Sequence, residues 1–281
     1  MYSKGKGMNF KRKLSKSWEN SGSLLCVGLD PDVIKMSSTI AKSAEPLFTF
    51  NKAIIDATAD QVCVYKPNSA MYEAYGSSGI EQLKKTCEYL QSNHPTIPIL
   101  LDFKRADIGN TNNYYAQFAF DYLGVDAITI NPYMGKEANE AFLAYKDKGI
   151  FILCRTSNPG AGEFQDLETD GKKLYQTVAE NVMKKWDDNN NCALVIGSPY
   201  PKELATIRKS LNDDTIFLIP GAGTQGGSIE ATVRAGVNKS GTGVIINSSR
   251  EIIYASNDDD FTEAARQKAV MLRDEINKYR R

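Results

Sequence analysis

The chain has 281 residues, of which 42% are apolar and 24% are charged, as is ordinary for a globular protein with a large core. Acidic and basic residues number 34 each, so the formal net charge is zero and no overall field favours nucleic acid or a membrane surface as a partner. No stretch approaches the roughly 18 consecutive apolar residues that a membrane-spanning helix needs. These properties predict a cytoplasmic protein that binds neither nucleic acid nor membrane.

The cysteines and the single histidine offer little for metal or nucleophile chemistry. The cysteines are scattered without a Cys-x-x-Cys pair, and we expect buried free thiols in a reducing compartment. They are Cys26, Cys63, Cys87, Cys154 and Cys192. His94 lies in the turn-like stretch Ser-Asn-His-Pro, so His-based triads and zinc sites are not expected. We predict no metal and no organic cofactor.

The N-terminal segment is rich in lysine and arginine, but no apolar stretch of the kind found in a secretory signal follows it. Phe10, Leu14 and Trp18 recur at helical spacing. Residues 9–20 are therefore predicted to form an amphipathic helix with a solvated basic face.

Apolar, β-branched runs then alternate with longer amphipathic segments along the whole sequence. The predicted strands are Leu24–Leu29, Val62–Tyr65, Ile97–Phe103, Ala127–Ile130, Ile150–Cys154, Ala193–Ile196, Ile216–Ile219 and Gly243–Ile246. The predicted helices are 46–59, 79–91, 110–123, 135–147, 172–187, 200–210, 227–236 and 261–279. Continuous apolar strands separated by helices indicate a parallel sheet buried on both faces. Eight such units in this length favour one α/β domain, residues 1–281, closed into a (β/α)8 TIM-type barrel.

In a parallel barrel, catalytic groups gather where strands end and loops begin. The sequence is unusually polar at these points. The residues are Asp30, Lys66, Asn68, Asp102, Lys104, Asp107, Asn131, Thr156, Ser157, Ser198, 221–227 and 247–250.

The strongest cluster is Asp102-Phe103-Lys104, with Asp107 three residues further on. Side chains two apart on a strand point to the same face, so Asp102 and Lys104 should share one side of the sheet. Lys66, at the end of the neighbouring strand, can reach the same space. Alternating ammonium and carboxylate groups keep one another ionised, because each charge offsets the desolvation of its neighbour. A structural ion-pair network is the alternative explanation.

The segment Asp102-Phe-Lys-Arg-Ala-Asp-Ile108 resembles the signature of the orotidine 5'-phosphate decarboxylase family, in its longer, second sequence type. The resemblance extends over nearly the whole chain. It includes residues 26–31 (CVGLDP), 64–68 (VYKPN), 155–160 (RTSNPG), 220–227 (PGAGTQGG) and 247–250 (NSSR). It departs at Ser249, where many members have a glycine before the phosphate-binding arginine; the departure concerns the local backbone and not the position of Arg250.

The resemblance implies decarboxylation of orotidine 5'-monophosphate (OMP) to UMP by a homodimer with shared active sites. It assigns catalysis to Lys66, Asp102, Lys104 and Asp107, with Lys104 stabilising and protonating a C6 carbanion. It assigns substrate binding to Asp30, Asn68, Ile108, Thr111, Ser157, Gly223, Gln225, Ser249 and Arg250. Of these, Asp30 and Lys66 would bind the ribose, Ser157 the pyrimidine, and Gln225 and Arg250 the phosphate. Asp107 and Thr111 would reach into the site of the partner subunit.

Two other functions remain open at this point. A Mg2+-dependent sugar-phosphate decarboxylase or aldolase of the same superfamily also resembles Asp-x-Lys-x-x-Asp, but such enzymes generally hold the metal with extra carboxylates at early strand ends. Here Lys66 takes such a position and would repel a divalent cation. A non-catalytic barrel that binds a nucleotide is the second alternative, although binding alone does not require so costly a charged cluster.

Overall fold

The computed structural model describes residues 8–221 and 228–280. Within them, eight parallel strands form one sheet. They are β1 (Leu25–Leu29), β2 (Val64–Pro67), β3 (Leu100–Arg105), β4 (Ala127–Ile130), β5 (Gly149–Arg155), β6 (Cys192–Ile196), β7 (Phe217–Pro220) and β8 (Val244–Ser248). Their order is β2-β1-β8-β7-β6-β5-β4-β3. Backbone bridges Tyr65↔Ile99 and Asn68↔Asp102 join β2 to β3, so the strands close into the predicted barrel.

Helices follow the strands and pack around the sheet. The longer ones are Phe10–Ser21, Pro46–Thr58, Gly76–Asn93, Thr111–Ala116, Gly135–Leu143, Leu174–Asn181, Pro201–Ser210, Ile229–Gly236 and Phe261–Tyr279. Two of them continue into wider π-helical turns, Gln117–Tyr122 and Val182–Trp186. Short helical turns occupy Val33–Lys35, Ser38–Ala41, Ala59–Gln61, Ala70–Glu73, Pro159–Ala161, Gly162–Gln165 and Arg250–Ile253. A small antiparallel hairpin, Glu168–Thr169 with Lys172–Lys173, lies between β5 and the next long helix.

Strand alternation divides the core into two layers. Outward-pointing side chains such as Ile150 and Ile152 pack against the surrounding helices. Inward-pointing side chains such as Val64, Leu100 and Phe151 fill the lower barrel interior. Side chains at i and i+2 of a strand share a face. The residues two positions after these inward-pointing side chains therefore also point inward, and they line the cavity above.

The first helix closes the N-terminal end of the barrel. Phe10 and Leu14 are buried in the interior cluster, and the ring of Phe10 meets Phe151 edge-on at 5.6 Å between centroids. Its polar contacts are to residues just before strands: the Phe10 amide donates to Asp147, and Lys13 pairs with Asp126 at 2.8 Å. The predicted amphipathic helix is thus confirmed.

Most predicted elements are present, with shifted ends. β2 and β3 each begin and end two or three residues later than their apolar runs, because the strands continue into charged residues that point into the barrel. Lys66, Asp102 and Lys104 are therefore strand residues. The five cysteines are buried and free, as predicted. Within the described ranges, no helix is long and apolar enough to span a membrane.

Candidate active site

A cavity of about 470 Å³ opens at the carboxyl ends of the strands. Its floor is the layer of inward side chains directly above the apolar interior. Polar and apolar members of that layer occupy opposite halves of the barrel. Asn247, Lys66, Asp102 and Thr129 come from β8, β2, β3 and β4, whereas Leu153, Val195 and Leu218 come from β5, β6 and β7. The cavity therefore has a charged wall facing an apolar wall.

The charged wall is built around the Asp102 carboxylate. Its Oδ2 lies 3.2 Å from Lys66 Nζ and its Oδ1 lies 2.5 Å from Lys104 Nζ. The Lys66 side chain is 4% exposed, whereas that of Lys104 is 50% exposed at the cavity surface. Asn68 donates to Oδ2 at 3.5 Å. Lys66 is thus a largely buried counter-ion at the cavity wall, and Lys104 is the more accessible of the two ammonium groups.

The pKa values of this cluster follow from burial and mutual attraction. Burial alone would raise the pKa of Asp102, but the charges of Lys66 and Lys104 outweigh it and hold that pKa well below its usual range. Burial alone would lower the pKa of Lys66, but the charges of Asp102 and Asp30 raise it above the ordinary lysine value. Both groups are therefore charged at neutral pH.

A second polar group lies where β1 and β8 meet. Ser249 donates to Asp30 Oδ2 at 2.6 Å, while the buried Oδ1 of Asp30 accepts no hydrogen bond from the described residues. Asp30 lines the cavity, and its carboxylate is a hydrogen-bond acceptor for a ligand hydroxyl there. Ser249 has φ −124°, outside the left-handed region that favours glycine, and the neighbouring Gly28 provides the room for its side chain, since a Cβ on Gly28 would come within 2.6 Å of Ser249 Cβ. The structure thus accommodates a serine side chain at position 249, where it bonds Asp30.

The other residues predicted for the site fall into three groups. Asn68, Ser157 and Arg250 line the cavity, with Arg250 exposed at its mouth. Gly223 and Gln225 lie outside the described residues.

The third group, Asp107, Ile108 and Thr111, does not line the cavity of this chain. Ile108 is 60% exposed. Asp107 instead organises its own turn, where its carboxylate accepts from the Ile108 amide at 2.7 Å and its amide donates to Asn112 at 3.0 Å.

Sequence reasoning missed two polar residues of the cavity. Thr129 donates a hydrogen bond to Asp102 Oδ1 at 2.9 Å. Gln165 accepts from the Thr156 amide at 2.8 Å and donates to the Thr156 hydroxyl at 2.9 Å. Thr129 could have been found, because it stands two residues after the inward-facing Ala127 on β4. No sequence pattern identifies Gln165 as a cavity residue, because its position depends on how residues 156–173 fold.

A buried arginine anchors that segment. Arg155 is 3% exposed and donates to Asp166 Oδ2 at 2.9 Å and to the Thr156 carbonyl at 3.0 Å. Its guanidinium also lies 3.7 Å from the ring centroid of Tyr200, which follows β6. These contacts hold the loop that carries Ser157 against the neighbouring strand end.

The described residues, 8–221 and 228–280, contain no group of three or more His, Cys, Asp or Glu side chains that could hold a metal ion. The cationic side of the cavity is supplied by the chain's own lysines and Arg250. These fixed ammonium, guanidinium and carboxylate groups can bind an anion and exchange protons.

The charged cluster should make stability depend on acid pH. The folded-state pKa of Asp102 is depressed, so ionised Asp102 favours folding above the unfolded aspartate pKa of about 3.9, and this contribution is lost as pH falls through the folded value. The free energy of unfolding of the wild type minus that of Asp102→Asn should therefore shrink as pH is lowered from about 6 to about 3. Urea unfolding followed by circular dichroism measures it.

Asp187→Asn is the matched control, because burial raises the pKa of Asp187. For Asp187→Asn, the free energy of unfolding of the wild type minus that of the variant should grow as pH falls, which is the opposite of the result expected for Asp102→Asn. A wild-type minus Asp102→Asn difference that stays constant down to about pH 3 would show that the carboxylate is not held ionised by its neighbours.

Comparison with known proteins agrees with this geometry. A statistical model of the "Orotidine 5'-phosphate decarboxylase / HUMPS family" matches residues 23–267. Orotidine 5'-phosphate decarboxylase of Ralstonia pickettii is 45% identical over 273 residues, 97% of this chain and 100% of the relative. The enzyme of the same name from Janthinobacterium sp. (strain Marseille) is 48% identical over 272 residues, 97% of this chain and 99% of the relative.

Solved structures give the same result. OMP decarboxylase of Leishmania donovani superposes with a TM-score of 0.85 at 36% identity, over 97% of this chain and 99% of that one. UMP synthase of Leishmania donovani superposes with a TM-score of 0.84 at 36% identity, over 96% of this chain and 57% of that one. The chain belongs to the orotidine 5'-phosphate decarboxylase family.

Proposed function

We propose that this chain decarboxylates OMP to UMP and CO2, the last step of de novo pyrimidine nucleotide synthesis, and needs neither metal nor organic cofactor. The observation that carries the proposal is the Asp102 carboxylate held between buried Lys66 and accessible Lys104. Relatives that cover nearly the whole chain and bear the name orotidine 5'-phosphate decarboxylase support it.

The chemistry requires a cation beside the reacting carbon. When the bond between C6 and the carboxylate breaks, its electron pair stays on C6 and CO2 leaves. A preorganised ammonium stabilises that developing charge, since it needs no reorganisation during the reaction. Lys104 then donates a proton to C6, which gives UMP, and regains one from water.

Asp102 has two tasks in this scheme. It fixes the Lys104 ammonium at 2.5 Å, and its own negative charge would lie close to the substrate carboxylate. Like-charge repulsion there favours departure of CO2. Lys66 keeps Asp102 ionised throughout, because its own pKa is raised.

Substrate binding is assigned to groups around this array. Asp30 and Lys66 would bind ribose hydroxyls, which their place in the cavity lining supports. Asn68 would lie beside the sugar, and Ser157 would contact the pyrimidine ring.

The phosphate would bind at the ends of β7 and β8, the usual phosphate site of this barrel class. Arg250 and Gln225 would hold it, together with Gly223 and backbone amides near Ser249. Binding energy from this remote group can orient the reacting carbon.

Two of the proposed roles belong to a second subunit. Asp107 and Thr111, like the exposed Ile108 between them, do not line the cavity of their own chain. This position supports a homodimer in which the β3 loop of each chain completes the partner's site. A cytoplasmic location is proposed as well, because free buried thiols are usual in a reducing compartment.

Lys104→Ala should abolish decarboxylation and leave the fold intact. Loss of the ammonium beside C6 should lower kcat at least about a thousandfold, or about 4 kcal/mol in barrier. UMP formation and circular dichroism measure the two effects. Lys35→Ala, which removes an exposed lysine following β1, is the control and should keep wild-type kcat. A Lys104→Ala enzyme with a tenth of wild-type kcat would refute the assignment.

Activity should survive dialysis against EDTA. The Mg2+-dependent rival needs extra carboxylates at an early strand end, where this chain has the buried ammonium of Lys66. An assay of UMP formation before and after dialysis distinguishes the metal-independent enzyme from the Mg2+-dependent one. Absence of UMP in both assays would instead indicate the non-catalytic nucleotide-binding barrel. Activity lost to EDTA and restored by Mg2+ would favour the metal enzyme.

Asp107→Ala and Lys104→Ala chains, each nearly inactive, should complement when mixed. In a heterodimer, one site draws both residues from intact positions and the other lacks both. Random exchange makes about half of the dimers heterodimers, so activity near a quarter of wild type should return. Mass spectrometry confirms exchange, and UMP formation is then assayed. Confirmed exchange without recovered activity would mean that each site is built from one chain.

A further inference from the structure

The end of β3 is irregular at the point where it carries Lys104. The register between β3 and β4 shifts between Leu101 and Arg105. Lys104 itself has φ +47°, in the left-handed region that residues other than glycine seldom occupy. A strand that leaves its regular ladder loses backbone partners, and a strained residue persists only where its surroundings hold it. Something must therefore support Lys104 in this conformation.

The Thr129 hydroxyl supplies that support. Its Oγ1 accepts from the amide of Phe103 at 2.9 Å and from the amide of Lys104 at 3.0 Å. It donates its own proton to Asp102 Oδ1 at 2.9 Å. A hydroxyl has one proton and two lone pairs, so every hydrogen-bonding capacity of this group is used. Thr129 is 1% exposed, which keeps water from taking over any of these bonds.

The three bonds converge on the proposed catalytic ammonium. The Thr129 hydroxyl holds the Lys104 backbone, because it accepts from the Lys104 amide. It also holds Asp102 Oδ1, the oxygen that Lys104 Nζ contacts. The other oxygen of Asp102 is held by Lys66 and Asn68. Both ends of Lys104 thus depend on one hydroxyl of the adjacent strand.

We propose that Thr129 is a positioning residue, which sets the left-handed backbone of Lys104 and the orientation of the Asp102 carboxylate and thereby places the Lys104 ammonium for catalysis. The inference rests on the proposed function. A merely structural hydroxyl would contribute to folding alone, whereas a positioning hydroxyl changes kcat in molecules that are fully folded.

The test compares Thr129→Val, which keeps the shape and removes the hydroxyl, with Thr129→Ser, which keeps the hydroxyl. Thr86→Val is the matched control, because Thr86 is buried, its hydroxyl bonds the Gln82 carbonyl and Asn51, and none of these residues lines the cavity. If Thr129→Val folds poorly, Thr129→Ala removes the same hydroxyl without setting a methyl group against the two amides.

For each variant, kcat and KM are measured for OMP, and the Kd of UMP is measured by calorimetry. Thr129→Val should lower kcat at least about tenfold while KM and the Kd of UMP change by less than about threefold, since the transition-state cation is misplaced and the binding groups are not. Thr129→Ser should recover most of kcat. Thr86→Val should reduce stability and leave kcat unchanged. Wild-type kcat in folded Thr129→Val, or a Ser variant as defective as Val, overturns the proposal.

A crystal structure of Thr129→Val gives a readout that does not use activity. Lys104 should leave the left-handed region, and its Nζ should move away from Asp102 Oδ1. An unchanged φ and an unchanged contact overturn the inference even if kcat falls. Wild-type protein that forms no UMP refutes the proposed function and the catalytic part of this inference, and the crystal structure then decides the geometrical part.

Discussion

The burial of the Asp102 carboxylate between two ammonium groups is the constraint on which the upper half of the barrel depends. An isolated buried carboxylate is strongly disfavoured, and here two cations and the Thr129 hydroxyl compensate for the lost water. Lys66 reaches Asp102 only because β2 meets β3, where the bridge Asn68↔Asp102 closes the sheet. The strand pairing that closes the barrel therefore also brings Lys66 and Asp102 together.

The division of the cavity follows from this cluster. Polar side chains from β8, β2, β3 and β4 form one wall, and Leu153, Val195 and Leu218 form the other. An apolar wall lowers the local dielectric, so the ammonium of Lys104 acts more strongly on charge that develops beside it. The buried thiol of Cys26 adds no further charge, since burial raises its pKa far above neutral.

The sequence predicts the barrel well because its strands are continuous apolar runs, and it predicts Lys66, Asp102 and Lys104 because charged residues directly after such runs are costly. It places the ends of β2 and β3 poorly, since charged residues that point into a barrel cavity still belong to the strand. Thr129 was within reach of simple alternation along β4. Gln165 was not, because its position depends on the contacts of Arg155 with Asp166 and Tyr200. The roles of Asp107, Ile108 and Thr111 stay predictions, and those of Gly223 and Gln225 concern residues outside the described ranges.

The first helix determines the end of the barrel from which molecules reach the cavity. Phe10 and Leu14 seal the strand beginnings with apolar contacts, and Gly149 is glycine where the Phe10 ring leaves no space for a Cβ. Among the described residues, the floor beneath Lys66 is packed with buried apolar side chains. In the part of the chain that the structure describes, water, substrate and products reach the cavity from the strand ends. Entry of a new nucleotide and escape of a small neutral product therefore share one passage.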